Sequence, residues 1–180
     1  MVPKIVYGDL YRYNGKSGFW NLLKTVVRKI DFRWLFLYRL YQSKRFRFFS
    51  WLFLRHCSIR TGIQIGWHST IGEGLLLVHC GSVVVNNEAV IGRNCTLYHG
   101  VTIGMEFRGK RRGNPVIGNE VWIGSNACVV GNITIGNDVL IAPLTYVNFD
   151  VPSHSIVLGN PGRIIPKEKA TEGYIQNILV

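Results

Sequence analysis

The sequence is short of several things. It has four cysteines in 180 residues, at 57, 80, 95 and 128, with no CxxC pair. That excludes a zinc ribbon, a dithiol redox pair and a disulfide scaffold, and a reducing compartment is the simple expectation. Acidic residues are nearly missing from the first third. Residues 1–60 hold 13 Lys/Arg and 2 Asp/Glu, whereas residues 61–180 hold 8 of each, so the net charge of +11 belongs to the first third alone. Within 32–54 the longest uncharged run is Phe48 to Leu54, far short of the ~20 residues a spanning helix needs. The start, MVPKIVYGDLYRYNGK, lacks the basic-then-apolar layout of a secretory signal. A cytoplasmic protein is expected, extending to the inner face of the membrane. Charged residues are only 17% against 47% apolar, which excludes wholesale disorder, and the 20 glycines show no three-residue period, which excludes a collagen-like chain.

Aromatic residues are what the first third has instead: 15 of the 22 lie in residues 1–60. The stretches FWNLLKTVVRKI and FRWLFLYRLYQSKRFRFFSWLFLRHC read as two helices. Two uses fit them. One is a surface lying against anionic lipid, since Lys/Arg and Trp/Phe together favour interfacial binding. The other is a helical cap with its rings on the rest of the protein and its bases in water. Nucleic acid is not expected as a partner, because no known motif is present and the segment is too apolar for a solvated basic arm.

From residue 61 the pattern changes to a repeat. Aliphatic residues recur every six positions at Ile65, Ile71, Leu77 and Val83. After a two-residue slip they resume at Val85, Ile91, Leu97 and Ile103, and after a loop at Ile117, Ile123, Val129, Ile135, Ile141 and Val147. A period of six is not 3.6, so an amphipathic helix is excluded. Glycine commonly follows the aliphatic, as at Gly66, Gly92 and Gly136, and a small or β-branched residue sits four after it, as at Ser69, Cys95 and Ala127. The expected structure is a triangular solenoid. Each hexad is a short strand and a corner, three hexads make an 18-residue coil, and coils stack about 4.8 Å apart. Glycine is expected to relieve strain at the corners. Residues 1–60 and the C-terminal tail are the available covers for the ends. The chain divides into a basic aromatic helical segment (1–60), a repeat domain (61–150), and a closing motif with tail (151–180).

GIQIGWHSTIGEGLLLVHCGSVVVNNEAVIGRNCTLYHGVTIG, NPVIGNEVWIGSNACVVGNITIGNDVLIAPLTYV and GNPGRII resemble the hexapeptide-repeat acyltransferases, specifically the serine acetyltransferase-like branch. They are also similar to O-acetyltransferases of polysaccharide biosynthesis. The resemblance covers residues 61–167. It implies a mostly β fold, a left-handed parallel β-helix with an N-terminal helical segment. It also implies a homotrimer, and acetyl-CoA bound between neighbouring subunits as co-substrate.

His79 falls where the branch keeps its general base, a role that suits an imidazole because its pKa lies near neutrality. His99 lies 20 residues on, one coil plus the slip, so the two histidines are expected on one face, with His99 a substrate contact or second acid–base group. Gln64 stands where the branch has the Asp that orients the base. Its carbonyl can accept a ring N–H but supplies no charge to an imidazolium. The loop 104–116 carries Arg108, Lys110, Arg111 and Arg112, and is expected to close over the site. There Asn114 stands where the branch has a substrate histidine, and Gly113 where it has an arginine. Asn114 and Arg111 are the candidate substrate contacts. By resemblance, Gly104, Ser125 and Asn126 are expected along the pantetheine arm, and Arg163 and Lys167 at the CoA phosphates. No metal is expected, because the histidines at 56, 68, 79, 99 and 154 contain no closely spaced pair. Serine enzymes of the branch carry a longer helical region with an acidic serine contact. With Gln64 and Asn114, this favours a hydroxyl of a sugar or polysaccharide precursor as acceptor. Serine, as in cysteine biosynthesis, is the alternative.

Overall fold

The hexads form three-sided coils. In the computed structural model, which describes residues 2–43 and 47–180, three parallel sheets run along a prism. Face A stacks β1 (Gln64–Ile65), β4 (Val84–Val85), β7 (Thr102–Gly104), β10 (Cys128–Val130) and β13 (Tyr146–Val147). Face B stacks β2 (Thr70–Ile71), β5 (Val90–Ile91), β8 (Val116–Ile117) and β11 (Thr134–Ile135). Face C stacks β3 (Leu76–Val78), β6 (Thr96–Tyr98), β9 (Val121–Ile123), β12 (Val139–Ile141) and β14 (Ser155–Leu158), closed by β15 (Arg163–Pro166), which turns back antiparallel. All fourteen aliphatics of the six-residue series are buried along the axis, as are Ser69, Cys95 and Ala127 four positions later. The slip and the loop lengthen individual coils without breaking the stack. Gln64 pairs with Val84, Val84 with Thr102, and Thr102 with Cys128.

Glycine sits in the hexad for a different reason from the expected corner strain. At Gly66, Gly92 and Gly136 the backbone is not left-handed, but a Cβ would run into the backbone of the next coil, at Asn87, Gly118 and Ser153. The left-handed corners instead carry residues such as Asn94, Asn126 and Asp138 (φ 56°, 59° and 51°). Short polar side chains tolerate that conformation better than most.

Among the described residues the helical segment has four helices where the sequence suggested two: α1 (Ile5–Asn14), α2 (Phe19–Arg28), α3 (Ile30–Gln42) and α4 (Arg47–Thr61). The first expected helix breaks at Lys29, which is extended (φ −109°, ψ 108°). The second divides between α3 and α4, and its residues 44–46 lie outside the described residues. The helix α1 has no counterpart in the sequence reading, because its buried side include Asp9 and Arg12 rather than an apolar stripe alone.

Those polar groups cap the first coil, whose open edge would otherwise leave backbone groups without partners. Asp9 accepts from the N–H groups of Gly74 and Leu75 (2.9 and 3.1 Å). Arg39 donates to the carbonyls of Ile71 and Gly72 (2.8 and 2.7 Å) and pairs with Asp9 (2.8 Å). The Tyr13 hydroxyl both donates to and accepts from the backbone of Leu77 (3.1 Å each). Phe32, Trp34, Leu35 and Leu54 complete the cap and share one core with Ile65, Ile71 and Leu77.

The C-terminal tail covers a side and not an end. Beyond β15, Asp138 accepts from the Ala170 N–H (3.0 Å), the Thr171 N–H (2.9 Å) and the Thr171 hydroxyl (2.7 Å). The tail then runs back along face C over Trp122 and Leu140. It reaches the second coil, where Leu179 and Asn94 exchange two hydrogen bonds, and Asn177 donates to the carbonyl of Arg12 in α1.

Removing one member of a buried ion pair strands the other charge. Asp9→Ala is expected to destabilise the folded protein by about 3–5 kcal/mol, read as a lower urea midpoint at fixed protomer concentration.

Candidate active site

Four successive coils turn from face C to face A at the same corner, and the fifth leaves face C there to return as β15. The first turn, after β3, carries His79 in left-handed backbone (φ 64°). The second, after β6, carries His99. Because Val78 pairs with Tyr98, the next residues lie one above the other, and their imidazole centroids are 5.9 Å apart at 61°. The third turn carries Ser125 and Asn126, and the Asn126 N–H donates to the His99 carbonyl (3.1 Å). The Leu144 N–H of the fourth turn donates to the Ser125 carbonyl (2.9 Å). The Gly159 N–H of the fifth donates to the Thr145 hydroxyl (3.2 Å). Arg163, paired with Leu158, stands at this end of β15.

His79 opens on a cleft of about 640 Å³ between face C, the helical segment and the tail. Its ring is exposed, with Tyr98 at 6.2 Å. The rings of Tyr98, Trp122 and Tyr174 follow one another along face C at 4.9 and 5.1 Å. The remaining walls carry both signs of charge, with Arg28, Lys29 and Asp31 at the α2–α3 junction. His99 is half-buried, and its Nδ1 is buried without a hydrogen-bond partner among the described residues.

One protomer thus brings His79, His99, Ser125, Asn126 and Arg163 to one corner. The other candidates lie elsewhere. Gln64 is exposed on face A, lines a separate cleft with Trp34, Trp51 and Trp67, and has no hydrogen bond to either histidine. Gly104 ends β7 at the opposite edge of face A, paired with Val130. The loop 105–115 leaves from that same edge, folding on itself through two Glu106–Gly113 backbone hydrogen bonds of 3.0 Å. Arg111 is exposed there, and Asn114 donates to Glu88 (3.0 Å) while its Oδ1 is buried without a partner among the described residues. Lys167 separates from Arg163 because β15 runs backwards. The Lys167 N–H bonds the His154 carbonyl (2.8 Å) at the far edge of face C.

Several cleft residues were invisible to sequence reasoning. Arg12 is 2% exposed and donates to the Gly74 carbonyl (3.0 Å) and the Thr96 hydroxyl (2.9 Å), with Nη1 left over. Nothing in a lone helical arginine signals a partner 84 residues away. Tyr174, Gln176 and Asn177 enter through the returning tail. Tyr98 alone had a signal, as the neighbour of His99 in the coil register.

Residues 114–148 match the family model described as bacterial transferase hexapeptide (six repeats). A serine acetyltransferase of Helicobacter pylori is 36% identical over 140 residues, 75% of this chain and 81% of that protein. Serine acetyltransferase 2 of Arabidopsis thaliana is 43% identical over 106 residues, 58% of this chain but 32% of that protein. The chain thus spans about a third of the length of that plant relative. Among solved structures, serine acetyltransferase of Brucella abortus strain S19 superimposes with a TM-score of 0.77 at 27% identity, over 93% of this chain and 70% of that one. The same enzyme in complex with coenzyme A gives 0.71 at 28%, over 93% and 67%. The chain belongs to the hexapeptide-repeat transferases, among the relatives of serine acetyltransferase, and its solenoid is the left-handed β-helix of that family.

The tail that walls the cleft is held by a pH-dependent clamp. Burial alone would raise the Asp138 carboxyl, but hydrogen bonds from Thr171, His154 and Ala170 outweigh it and hold it below its ordinary 3.8. The Asp138 hydrogen bond, with Glu168 adding, lifts His154 above its ordinary 6.5. The Asp138 contribution is present above 3.8 and lost as pH falls through its lowered value. The His154 contribution is present below 6.5 and lost as pH rises through its raised value. Amide protection factors at Ala170 and Thr171 are therefore expected to be highest between 3.8 and 6.5, and Asp138→Asn is expected to lower them throughout.

Proposed function

We propose that the protein is an acetyl-CoA-dependent O-acetyltransferase with His79 as general base. The observation that carries this reading is the corner column, which places an exposed imidazole beside a cleft and a second imidazole directly under it. In the proposed reaction the acceptor hydroxyl attacks the thioester carbonyl carbon while the His79 imidazole takes the hydroxyl proton. The tetrahedral intermediate then expels the CoA sulfur, which receives that proton from the imidazolium. The column suits the rest of the co-substrate. From His79 to Gly159 there are four coil steps, about 19 Å at strand spacing. That span accommodates an extended pantetheine arm passing Ser125 and Asn126, with Arg163 at its far end for phosphate. Gly104 and Lys167 stand away from this path and are expected to contribute little.

Serine is the acceptor we favour, which reverses the preference drawn from sequence. The named relatives are serine acetyltransferases. The cleft also holds Asp31 beside Lys29 and Arg28, the paired charges that the ammonium and carboxylate of an amino acid need. A sugar hydroxyl is the second reading. It is favoured by one observation: Gln64, Asn114 and Arg111 present no charged serine-type constellation at His79 within the protomer. We also propose a homotrimer in which the loop 105–115 of a neighbouring copy completes the site. This use suits the unpartnered Asn114 Oδ1 and the outward apolar residues Val84 and Val116, which are 38% and 43% exposed.

The test is CoA thiol release from acetyl-CoA with L-serine or with hydroxylated sugars. Serine is expected to support turnover, His79→Ala to lower kcat by about 10²–10⁴-fold, and Asp31→Asn to raise KM for serine more than it lowers kcat. Turnover with sugars alone would install the second reading. Release unaffected by His79→Ala would end both.

A further inference from the structure

The helical segment caps the solenoid with one side and leaves the other uncovered. In α4 only a single stripe is buried, Ser50, Leu54, Cys57 and Thr61. Around that stripe Phe48, Phe49 and Phe53 are 73%, 69% and 59% exposed. The helix α2 shows the same arrangement, with Trp20 81% and Val27 70% exposed. The two helices flank α3, and together the three enclose an apolar groove of about 270 Å³ floored by Phe36 and Leu37, with Arg33, His56 and Arg60 among its lining residues. Of the exposed rings, Phe53 lines this groove, and Trp20, Phe48 and Phe49 lie on the same two helices outside it.

The charge on these helices is one-sided. The helix α2 contributes Lys24, since its Arg28 lines the active-site cleft, and α4 contributes Arg47, Arg55 and Arg60, while neither contains an acidic residue. Of the two acids in residues 1–60, Asp9 is consumed by Arg39, and Asp31 lies in α3 on the active-site cleft.

We propose that the outer faces of α2 and α4 dock the protein on an anionic phospholipid bilayer. Trp and Phe gain by entering the headgroup–acyl boundary, and Lys and Arg gain by meeting anionic headgroups. The groove offers a place for an acyl chain beside basic side chains. A second copy is a poor occupant, because it would set four cations against four with no acid between them. An acidic protein would meet the charge but would have to supply a matching apolar surface for the rings. The attachment is peripheral, since no helix among the described residues is long and apolar enough to cross a membrane. It stands independently of the acceptor's identity.

Flotation of the full chain with vesicles tests it. Vesicles of equal parts phosphatidylglycerol and phosphatidylcholine are expected to carry the protein up the gradient, and pure phosphatidylcholine vesicles are not. Trp20→Ser with Phe48→Ser and Phe49→Ser is expected to cut the bound fraction about tenfold or more. Lys24→Gln with Arg55→Gln is expected to weaken binding about 30-fold. All these residues are exposed, so thermal melting is expected to stay at the wild-type temperature, which separates lost binding from lost folding. The proposal is overturned if anionic vesicles fail to float a folded wild-type chain, or if the aromatic variants float as well as wild type. It is equally overturned if a soluble quencher cannot reach Trp20 without lipid, because another protein surface then covers the face.

Discussion

Parallel coils stacked at strand spacing impose the constraint on which the structure depends. At that distance each hexad has room for one inward aliphatic and for no Cβ where its glycine approaches the next coil, as at Gly66 against Asn87. The stack also repeats every corner at the same place in each turn. A residue put at a corner is therefore aligned with its counterparts above and below. His79, His99 and Ser125 are 20 and 26 residues apart in the chain and adjacent in space because of this rule. The loop-bearing coil absorbs its extra residues between β7 and β8, at another corner, whereas the two extra residues of the 20-residue coil widen the His79 turn itself, between β3 and β4.

A solenoid has two ends and three outer faces, and its flanking segments dispose of some of these. The first coil is closed by polar side chains from α1 and α3 more than by apolar burial. Asp9, Arg39 and Tyr13 stand in for the strand that a preceding coil would have supplied. Face C is covered by the tail, pinned at Asp138 and again at Asn94. Both flanking segments also build the cleft beside His79, so the covers of the solenoid are walls of the site. That dual use ties the stability of the first coil and of the tail to the geometry around the imidazole.

The repeat was legible in the sequence because a period of six has one structural solution, and every predicted inward aliphatic is buried. The slip between Val83 and Val85 was enough to align the histidines. What could not be read were contacts that span the chain. Arg12 reaches Thr96, Asn177 reaches Arg12, and neither helix nor tail carries a periodicity that announces these pairings. Arg163 and Lys167, four apart, looked like one phosphate site. The antiparallel return of β15 sends them to opposite edges of face C. The reason for the hexad glycines was also hidden, since steric closeness between coils and backbone strain select the same residue.

In the proposed reaction the corner column from His79 to Arg163 is the path of the co-substrate. A crystal structure of this protein with bound CoA tests it most directly. The sulfur is expected within hydrogen-bonding reach of the His79 ring, the arm passing Ser125 and Asn126, and a phosphate on Arg163. A CoA molecule seated on face B, or with its sulfur remote from both imidazoles, would contradict it.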